Sequence, residues 1–425
     1  MIMQDNEKKP ALRFKGFTDP WEQRKLEEYL EVSSQKNFEG IYTKEDVLSV
    51  SGDFGIVNQI EFQGRSFAGA SVANYGVVET GDIVYTKSPL KSNPYGIIKA
   101  NKGKNGIVST LYAVYKPKQS VNPEFVQIYF EQDARMNNYM HPLVNKGAKN
   151  DMKVSAENAL KGQIVFPDIK EQRTISEFFR NLETLITLHQ RKYEKLVNIK
   201  KSMLNKMFPP NGASVPEIRF KGFTDPWEQR KLDEEFDFTV PNNTLSRAEL
   251  NQESGSVRNV HYGDVLIKYG SVLDVQNDEL PFITGRSKDD FKGALLQNGD
   301  IIIADTAEDE TTGKVCEIVN IQDKDVVAGL HTMVCRPKNK TAEGYFGYYM
   351  NSSSYHHQLL PLMQGIKVLS LSKTNVQKTT VKYPKDKAEQ QKIADCLRRI
   401  DTLITLHQRE HIKSILEVKR VKRNE

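Results

Sequence analysis

Few residues in this chain have the types and spacing that chemistry requires. Asn93-Pro94-Tyr95 has the look of the substrate loop of an adenine methyltransferase, but it lacks a second proline and no glycine-rich cofactor loop follows a strand nearby. Gly40-Ile41-Tyr42 resembles half of a nuclease signature whose other half is missing. Gly313-Lys314 would suit a phosphate-binding loop, but Val315 follows the lysine and Glu308, five residues before Gly313, stands where that loop has glycine. Pro167-Asp168 with Glu171 could seed a metal-dependent nuclease, yet the pattern recurs as Pro384 and Glu389 at the start of a second helical stretch. His356-His357 has no acidic or thiol partner at ligand spacing, and Cys316, Cys335 and Cys396 form no CxxC pair. These residues point away from an enzyme and towards a binding protein. No catalytic residue and no metal ligand is assigned.

The elements that must carry a binding surface are duplicated. RFKGFTDPWEQRKL runs from Arg13 to Leu26 and again from Arg219 to Leu232, and TLITLHQR runs from Thr184 to Arg191 and again from Thr402 to Arg409. Between the identical stretches lie two bodies that differ in most residues but keep landmarks in order. Gly81-Asp82-Ile83 answers Gly299-Asp300-Ile301, Lys146-Gly147-Ala148-Lys149 answers Gln364-Gly365-Ile366-Lys367, and Phe166-Pro167 answers Tyr383-Pro384. Short β-prone runs broken by Gly, Asn and Pro fill both bodies. A stretch free of Gly and Pro then predicts a long helix in each half, with apolar steps at Ile175, Phe178, Leu182, Leu185 and Leu196, and at Ile393, Ile400 and Leu403. His189 and His407 fall on the same seam, where a polar residue fixes the register of paired helices. A helix of this length spans on the order of 50 Å at about 1.5 Å per residue.

The expected fold is therefore α/β (α+β), with two pseudo-symmetric bodies and two long helices pairing antiparallel. The expected boundaries are a first body over 1–168, a central helix over 169–208, a linker, second repeat and second body over 209–386, and a C-terminal helix over 387–425.

Charge narrows the ligand. The 425 residues carry a formal net charge of only +5, so position matters more than the total. From Ile83 to Pro123 there is no acidic residue, while Lys87, Lys91, Lys99, Lys102, Lys104, Lys116 and Lys118 alternate with tyrosines. Arg65, Lys87, Lys91, Asn93, Lys99, Lys102, Lys104 and Lys149 are the DNA-contact candidates of the first body. Those of the second are Lys268, Arg286, Lys288, Lys314, Lys367 and Lys373, and the acidic run Asp305, Glu308, Asp309 and Glu310 reads as a loop turned away from phosphates. The absence of an 18-residue apolar run, of an apolar N-terminal stretch and of paired cysteines leads to an expected cytoplasmic location without membrane contact.

The order body–helix–body–helix, with Glu171-Gln172, Ile175, Phe178-Phe179 and Leu182 in one helix and Glu389-Gln390, Ile393, Cys396-Leu397 and Ile400 in the other, resembles the DNA sequence-specificity subunit of type I restriction–modification systems. Tyr262-Gly263-Asp264, Gly299-Asp300-Ile301 and Gly329-Leu330-His331 are also similar to that family's target-recognition domains. The resemblance implies that each body reads one part of a bipartite sequence in double-stranded DNA and that the helices are the spacer. It further implies that two modification subunits dock on the helices and methylate adenine with S-adenosylmethionine. Two restriction subunits would add ATP- and Mg-dependent cleavage, and this chain itself would bind no cofactor and perform no chemistry. The competing reading is a two-domain protein-binding scaffold built on the helix pair.

Overall fold

The computed structural model describes residues 10, 12–87, 93–144, 154–210 and 212–424. Strands and helices are mixed throughout, as the sequence led us to expect. By internal contacts the chain divides into two units, one of Met1–Leu188 with His411–Glu425, the other of His189–Glu410. Each long helix is thus shared between units rather than forming a domain of its own.

In the first unit, strands Leu30–Val32, Tyr112–Pro117, Ile83–Thr86 and Ile98–Ala100 form an antiparallel sheet in that order. Helix Pro123–Phe130 packs against it, with Phe125 and Val126 buried in a core that also holds Trp21, Tyr85, Tyr115 and Phe166. A hairpin of Leu48–Ser51 and Gly55–Asn58 and a ribbon of Gly76–Val78 and Gly106–Val108 complete this unit's strands among the described residues, apart from Glu22–Lys25 and Gln163–Phe166 described below.

In the second unit, Phe236–Asp237, Thr332–Pro337, Ile301–Ala304, Val315–Val319 and Val272–Asp274 form a five-stranded sheet. A four-stranded sheet adds Leu250–Asn251, Phe282–Ile283, Val257–Val260 and Asp325–Ala328, the last two parallel. The shared Gly-Asp landmark has one physical role in both units. Gly81 and Gly299 adopt φ of +94° and +90°, a region in which a side chain is strained. The following aspartate accepts a hydrogen bond from the backbone three residues earlier, Glu79 N or Gln297 N, each at 2.7 Å. The same carboxylate then pairs with a cation on the neighbouring strand: Asp82 with Lys116 at 2.8 Å, and Asp300 with both arms of Arg336 at 2.7 and 2.8 Å.

The repeated opening segment closes each unit onto its helix. Glu22–Lys25 pairs antiparallel with Gln163–Phe166, and Glu228–Lys231 pairs with Thr380–Tyr383. Two and three residues beyond those partner strands, Asp168 and Asp386 cap the long helices, Ile169–Lys206 and Lys387–Asn424. On the first turn of each helix a glutamate is 1 % exposed, Glu171 and Glu389. Arg13 grips Glu171 with two hydrogen bonds of 2.8 and 2.7 Å, and Arg219 grips Glu389 with two of 2.7 and 2.8 Å. The adjacent glutamines, Gln172 and Gln390, accept from the backbone of Asn122 or Ala342 and donate to the carbonyl of Pro167 or Pro384. The Glu-Gln dipeptide at each helix start is therefore a clamp that joins opening repeat, body and helix.

The helices run antiparallel. In the second unit His189 faces His407, with the two Nδ1 atoms 3.1 Å apart, and Lys200 pairs with Asp401 at 2.6 Å. In the first unit His411 Nδ1 lies 3.2 Å from the carbonyl of Ile186, and Val418 and Val421 pack on the core beside Phe178. Ile175, Leu182, Ile393 and Ile400 are buried, and Phe178 and Leu196 half-buried. Leu185 and Leu403 are not in the seam; they are 45 % and 42 % exposed. Seven residues separate Leu182 from His189, and the helix can bridge them through either Leu185 or Ile186. It turns Ile186 inward, and in the second helix the half-buried residue is Ile404.

Two outcomes are expected. Replacing Arg13 by Ala strands a buried carboxylate, so the first unit should lose about 3–5 kcal/mol of stability, and Arg219→Ala should do the same to the second. Denaturant unfolding followed by residue-resolved hydrogen exchange reads each unit separately. The paired histidines give the second expectation. Burial, followed by the charge of Lys192 and then His189, depresses the His407 pKa below its usual value. The folded state therefore holds fewer protons than the unfolded one, and stability is present above the unfolded pKa of about 6.5 and lost as pH falls from there through the lower folded pKa. A His189→Leu/His407→Leu chain should lose that pH dependence in thermal unfolding between pH 5 and pH 7.5, values on the order of one unit either side of the imidazole range.

Candidate nucleic-acid interface

The basic window of the first body is largely occupied by the fold. Lys99 lies on strand Ile98–Ala100, is 8 % exposed and pairs with Glu131 at 3.2 Å, so it is a core residue rather than a phosphate contact. Asn93 is likewise buried, its Nδ2 donating to Asp133 at 2.8 Å. Lys116 is held by Asp82 and Glu79, and Lys118 donates to the carbonyl of Glu27. Lys102 and Lys104 are exposed and face Glu183 at 3.5 Å and Glu61 at 3.6 Å. The acids that neutralise this acid-free stretch come from remote parts of the sequence. Lys87 is half-buried, and burial, with the charge of Lys36 adding to it, pushes its pKa down. Lys91 and Lys149 lie outside the described residues.

Arg65, like Lys102 and Lys104, is a first-body candidate presented to solvent. Its guanidinium lies 4.7 Å over the ring of Phe67, which leaves the planar fork oriented for a bidentate acceptor. Nearby, the hairpin tip carries Phe54, 65 % exposed and 5.0 Å from Phe62, which lies on helix Gln59–Gln63. Neither aromatic was legible as surface from its spacing.

In the second body Lys314 donates to the carbonyls of Leu266 and Tyr269 at 2.9 and 3.2 Å, and burial lowers its pKa. It is a tie between strand and helix and not a DNA contact. Lys373 donates to Phe238 O at 2.7 Å, and Lys268 to Glu279 O at 2.7 Å, although both residues are exposed. Arg286 and Lys288 are exposed on the loop around Lys288–Phe291. Lys367 is exposed at the tip of a tight hairpin closed by reciprocal bonds between Gln364 and Ser370 of 3.0 and 2.8 Å. Only glycine fits at 365: φ is +120°, and a Cβ would stand 1.9 Å from Val368 O. Beside Lys367, Ile366 is 100 % exposed.

The same unit gathers a polar cluster that spacing did not reveal. Arg247 forms two hydrogen bonds to Asp264 of 2.6 and 2.7 Å. The His261 ring lies tilted against Tyr262 at 4.7 Å, and burial, then the Arg247 charge, lowers its pKa. His331 meets the edge of Tyr262 at 5.3 Å and Asp305 at 3.6 Å, and it holds φ of +55°. The loop before it is fixed by Gly329, where a Cβ would strike Asn259 Nδ2 at 2.7 Å. An unusual backbone that projects a histidine and an aromatic suits recognition. Asp305 is part of this cluster, whereas Asp309 caps its own turn by accepting from Thr311 N.

The carboxyl most displaced from its ordinary range has a structural use. Glu317 is pushed up to about 7 by burial and accepts from Gly344 N and Gly347 N at 2.6 and 2.9 Å, capping helix Tyr345–Met350. Cys316 and Cys335 are buried thiols pushed up by burial, far from a nucleophile's range. Among the described residues no group of three or more His, Cys, Asp or Glu could hold a metal ion, and no helix is long and apolar enough to cross a membrane.

Comparison with known proteins finds one family model, over the second half of the chain. The model of the Type I restriction modification DNA specificity domain matches residues 224–417. None of the curated proteins matches. Among solved structures, the chain is similar to the S subunit of a type-I restriction-modification system from M. genitalium, with a TM-score of 0.52 at 11% identity over 98% of each chain. It is also similar to the HsdS subunit from Thermoanaerobacter tengcongensis, at 0.45 and 15% over 96% of each chain. A third similar chain, from work on complex assembly and conformational transition of the type I R-M system, aligns at 0.44 and 15% over 95% of each. The resemblance read from the sequence is borne out.

Proposed function

We propose, from the premise that residues 224–417 belong to the type I restriction modification DNA specificity domain family and that the first half repeats their plan, that the chain reads a bipartite DNA sequence. Each unit takes one half-site. The observation that carries this is the duplicated clamp. Arg13 with Glu171 and Gln172 has its counterpart in Arg219 with Glu389 and Gln390, and the two clamps mount bodies of different surface on identical supports. Two different readers on one plan suit a target whose two parts differ.

DNA contact falls to residues the fold leaves outside, among them Arg65, Lys102 and Lys104 in the first unit, and His331, Arg286, Lys288 and Lys367 in the second, with the half-buried Tyr262 beside His331. Lysines presented this way neutralise phosphates and position the protein, while the guanidinium, imidazole and phenol groups can meet base edges. The chain supplies no acid, base or cofactor site of its own to this reaction. Methylation of adenine with S-adenosylmethionine belongs to two modification subunits, and ATP- and Mg-dependent restriction to two restriction subunits. The matched leucines Leu185 and Leu188 on one helix and Leu403 and Leu406 on the other are all exposed, and they offer the modification subunits two equivalent apolar footholds.

Two measurements test this reading. An adenine-methylation map of cells making the chain with its modification subunit should show a new motif of two short parts around a fixed gap, absent without the chain. If the two proteins are soluble and associated yet no motif appears, the protein-scaffold reading replaces this one. In filter binding, neutralising Lys288 or Lys367 should reduce the salt slope by about one each, the loss of a single phosphate contact, whereas neutralising Arg65 should relax the sequence preference of the first half-site. Neutralising Lys99 or Lys314 should leave the slope unchanged and lower the melting temperature instead.

A further inference from the structure

One hairpin of the second unit ends in apolar side chains that the fold does not bury. Ile366 is 100 % exposed and Val368 51 % exposed, with the exposed Lys367 between them. Among the described residues no large apolar side chain is more exposed than Ile366. The tip is nonetheless stiff. Gly365 passes so close to Val368 O that a methyl group would not fit, and Gln364 and Ser370 exchange backbone hydrogen bonds behind it. The returning strand Leu369–Ser370 pairs antiparallel with Thr306–Ala307. Leu371, the residue after it, is buried and donates its N–H to Asp305 O at 2.8 Å.

That ribbon also carries the His331 cluster. Asp305 N donates to His331 O at 3.1 Å, and the Thr306 hydroxyl lies 3.4 Å from His331 Nδ1. Tip and cluster are held by one pair of strands, so a ligand that meets His331 has the tip in a fixed register beside it. Charge decides how the tip approaches. Glu308 and Glu310 are exposed just beyond Ala307, so the flank of the ribbon repels phosphates. The tip itself leads with Lys367, a cation set between two apolar neighbours. Such an edge meets a duplex point first, not lengthwise. An isoleucine on a rigid point gains free energy only when something buries it. Its β-branched side chain holds few rotamers, so insertion costs it little entropy.

We propose that Ile366 is a wedge that enters the base stack of DNA from the minor groove. The proposal rests on the reading of the second unit as a DNA reader. Ile366 parts two base pairs beside the bases that His331 meets, and Lys367 holds the adjoining phosphate. Parting is easiest at a pyrimidine–purine step, so the wedge adds sequence preference at a step that no hydrogen bond reads. The duplex bends there, and the second half-site is recognised partly by how readily it yields.

The test uses the full chain in complex with its modification subunit, and duplexes bearing the motif that the methylation map defines. Fluorescent base analogues, 2-aminopurine for adenine and pyrrolocytosine for cytosine, are placed one at a time across the motif and its gap. One step should brighten on binding by the unaltered chain, stay dark with Ile366→Ala, and brighten again with Ile366→Leu. Ile366→Ala should bind the motif about tenfold more weakly, with an unchanged salt slope. Its melting temperature should match that of the unaltered chain, since the side chain it shortens is fully exposed. Equal emission at every step for the unaltered chain and Ile366→Ala, with the motif still bound, would overturn the wedge and leave the DNA reading standing. Loss of the modification subunit from Ile366→Ala would also overturn it and make the tip a foothold for protein. If the unaltered complex prefers no motif at all, the DNA reading itself fails and the wedge with it.

Discussion

A carboxylate removed from water needs a cation held in a fixed place, and this chain is organised around two of them. Glu171 and Glu389 sit at the first turns of the long helices with almost no exposure, so each must be met by a guanidinium fork. Arg13 and Arg219 supply the forks, and both also donate to the backbone six residues on, at Asp19 O and Asp225 O. That second bond pins the Gly-Phe-Thr-Asp-Pro turn, which in turn sets the Trp and the strand that follow. The opening repeat, the last strand of the body and the helix start are thus fixed by one electrostatic demand. The demand fixes the arginine, the turn and the Trp of each repeat, while most of the remaining repeat residues are exposed.

Outside that clamp, much of the positive charge of both bodies pairs with acids that lie far away in sequence, as Lys116 does with Asp82 and Arg336 with Asp300. The second body also pairs Arg286 locally with Asp290, yet leaves Lys367 on a hairpin tip. A stretch without acids is therefore a poor measure of electrostatic potential. Lys99 is the clearest case: it sits in the middle of the run and is neutralised by Glu131, thirty-two residues on.

Much of the architecture was legible because duplication and periodicity survive without a structure. Identical segments announced two halves, and apolar steps of three and four announced two helices. The seam was legible only to within one residue, since Leu185 and Ile186 are both compatible with the spacing and packing alone decides between them. The clamp residues were visible as a motif, but their roles were not, because the partner of Glu171 is 158 positions away. Among the site candidates, those on loops such as Arg65, Lys288 and Lys367 stayed on the surface. Those on strands, such as Lys99, did not, because in a strand one residue decides which face is met. The cluster of His261, Tyr262 and His331 was hidden for a related reason. It is assembled by parallel pairing of Val257–Val260 with Asp325–Ala328, a crossover that spacing does not encode.

The division of the chain also bears on how it is made. The second unit is one uninterrupted stretch, His189–Glu410, whereas the first is Met1–Leu188 joined by His411–Glu425. A ribosome emits the first body early but delivers Val418 and Val421, which pack on its core, only after the whole second unit. The N-terminal body must therefore wait with part of its apolar surface uncovered while the downstream unit, self-contained, folds ahead of it. Order of synthesis and order of completion are reversed, and nascent first bodies are the species that most need a chaperone or an early partner.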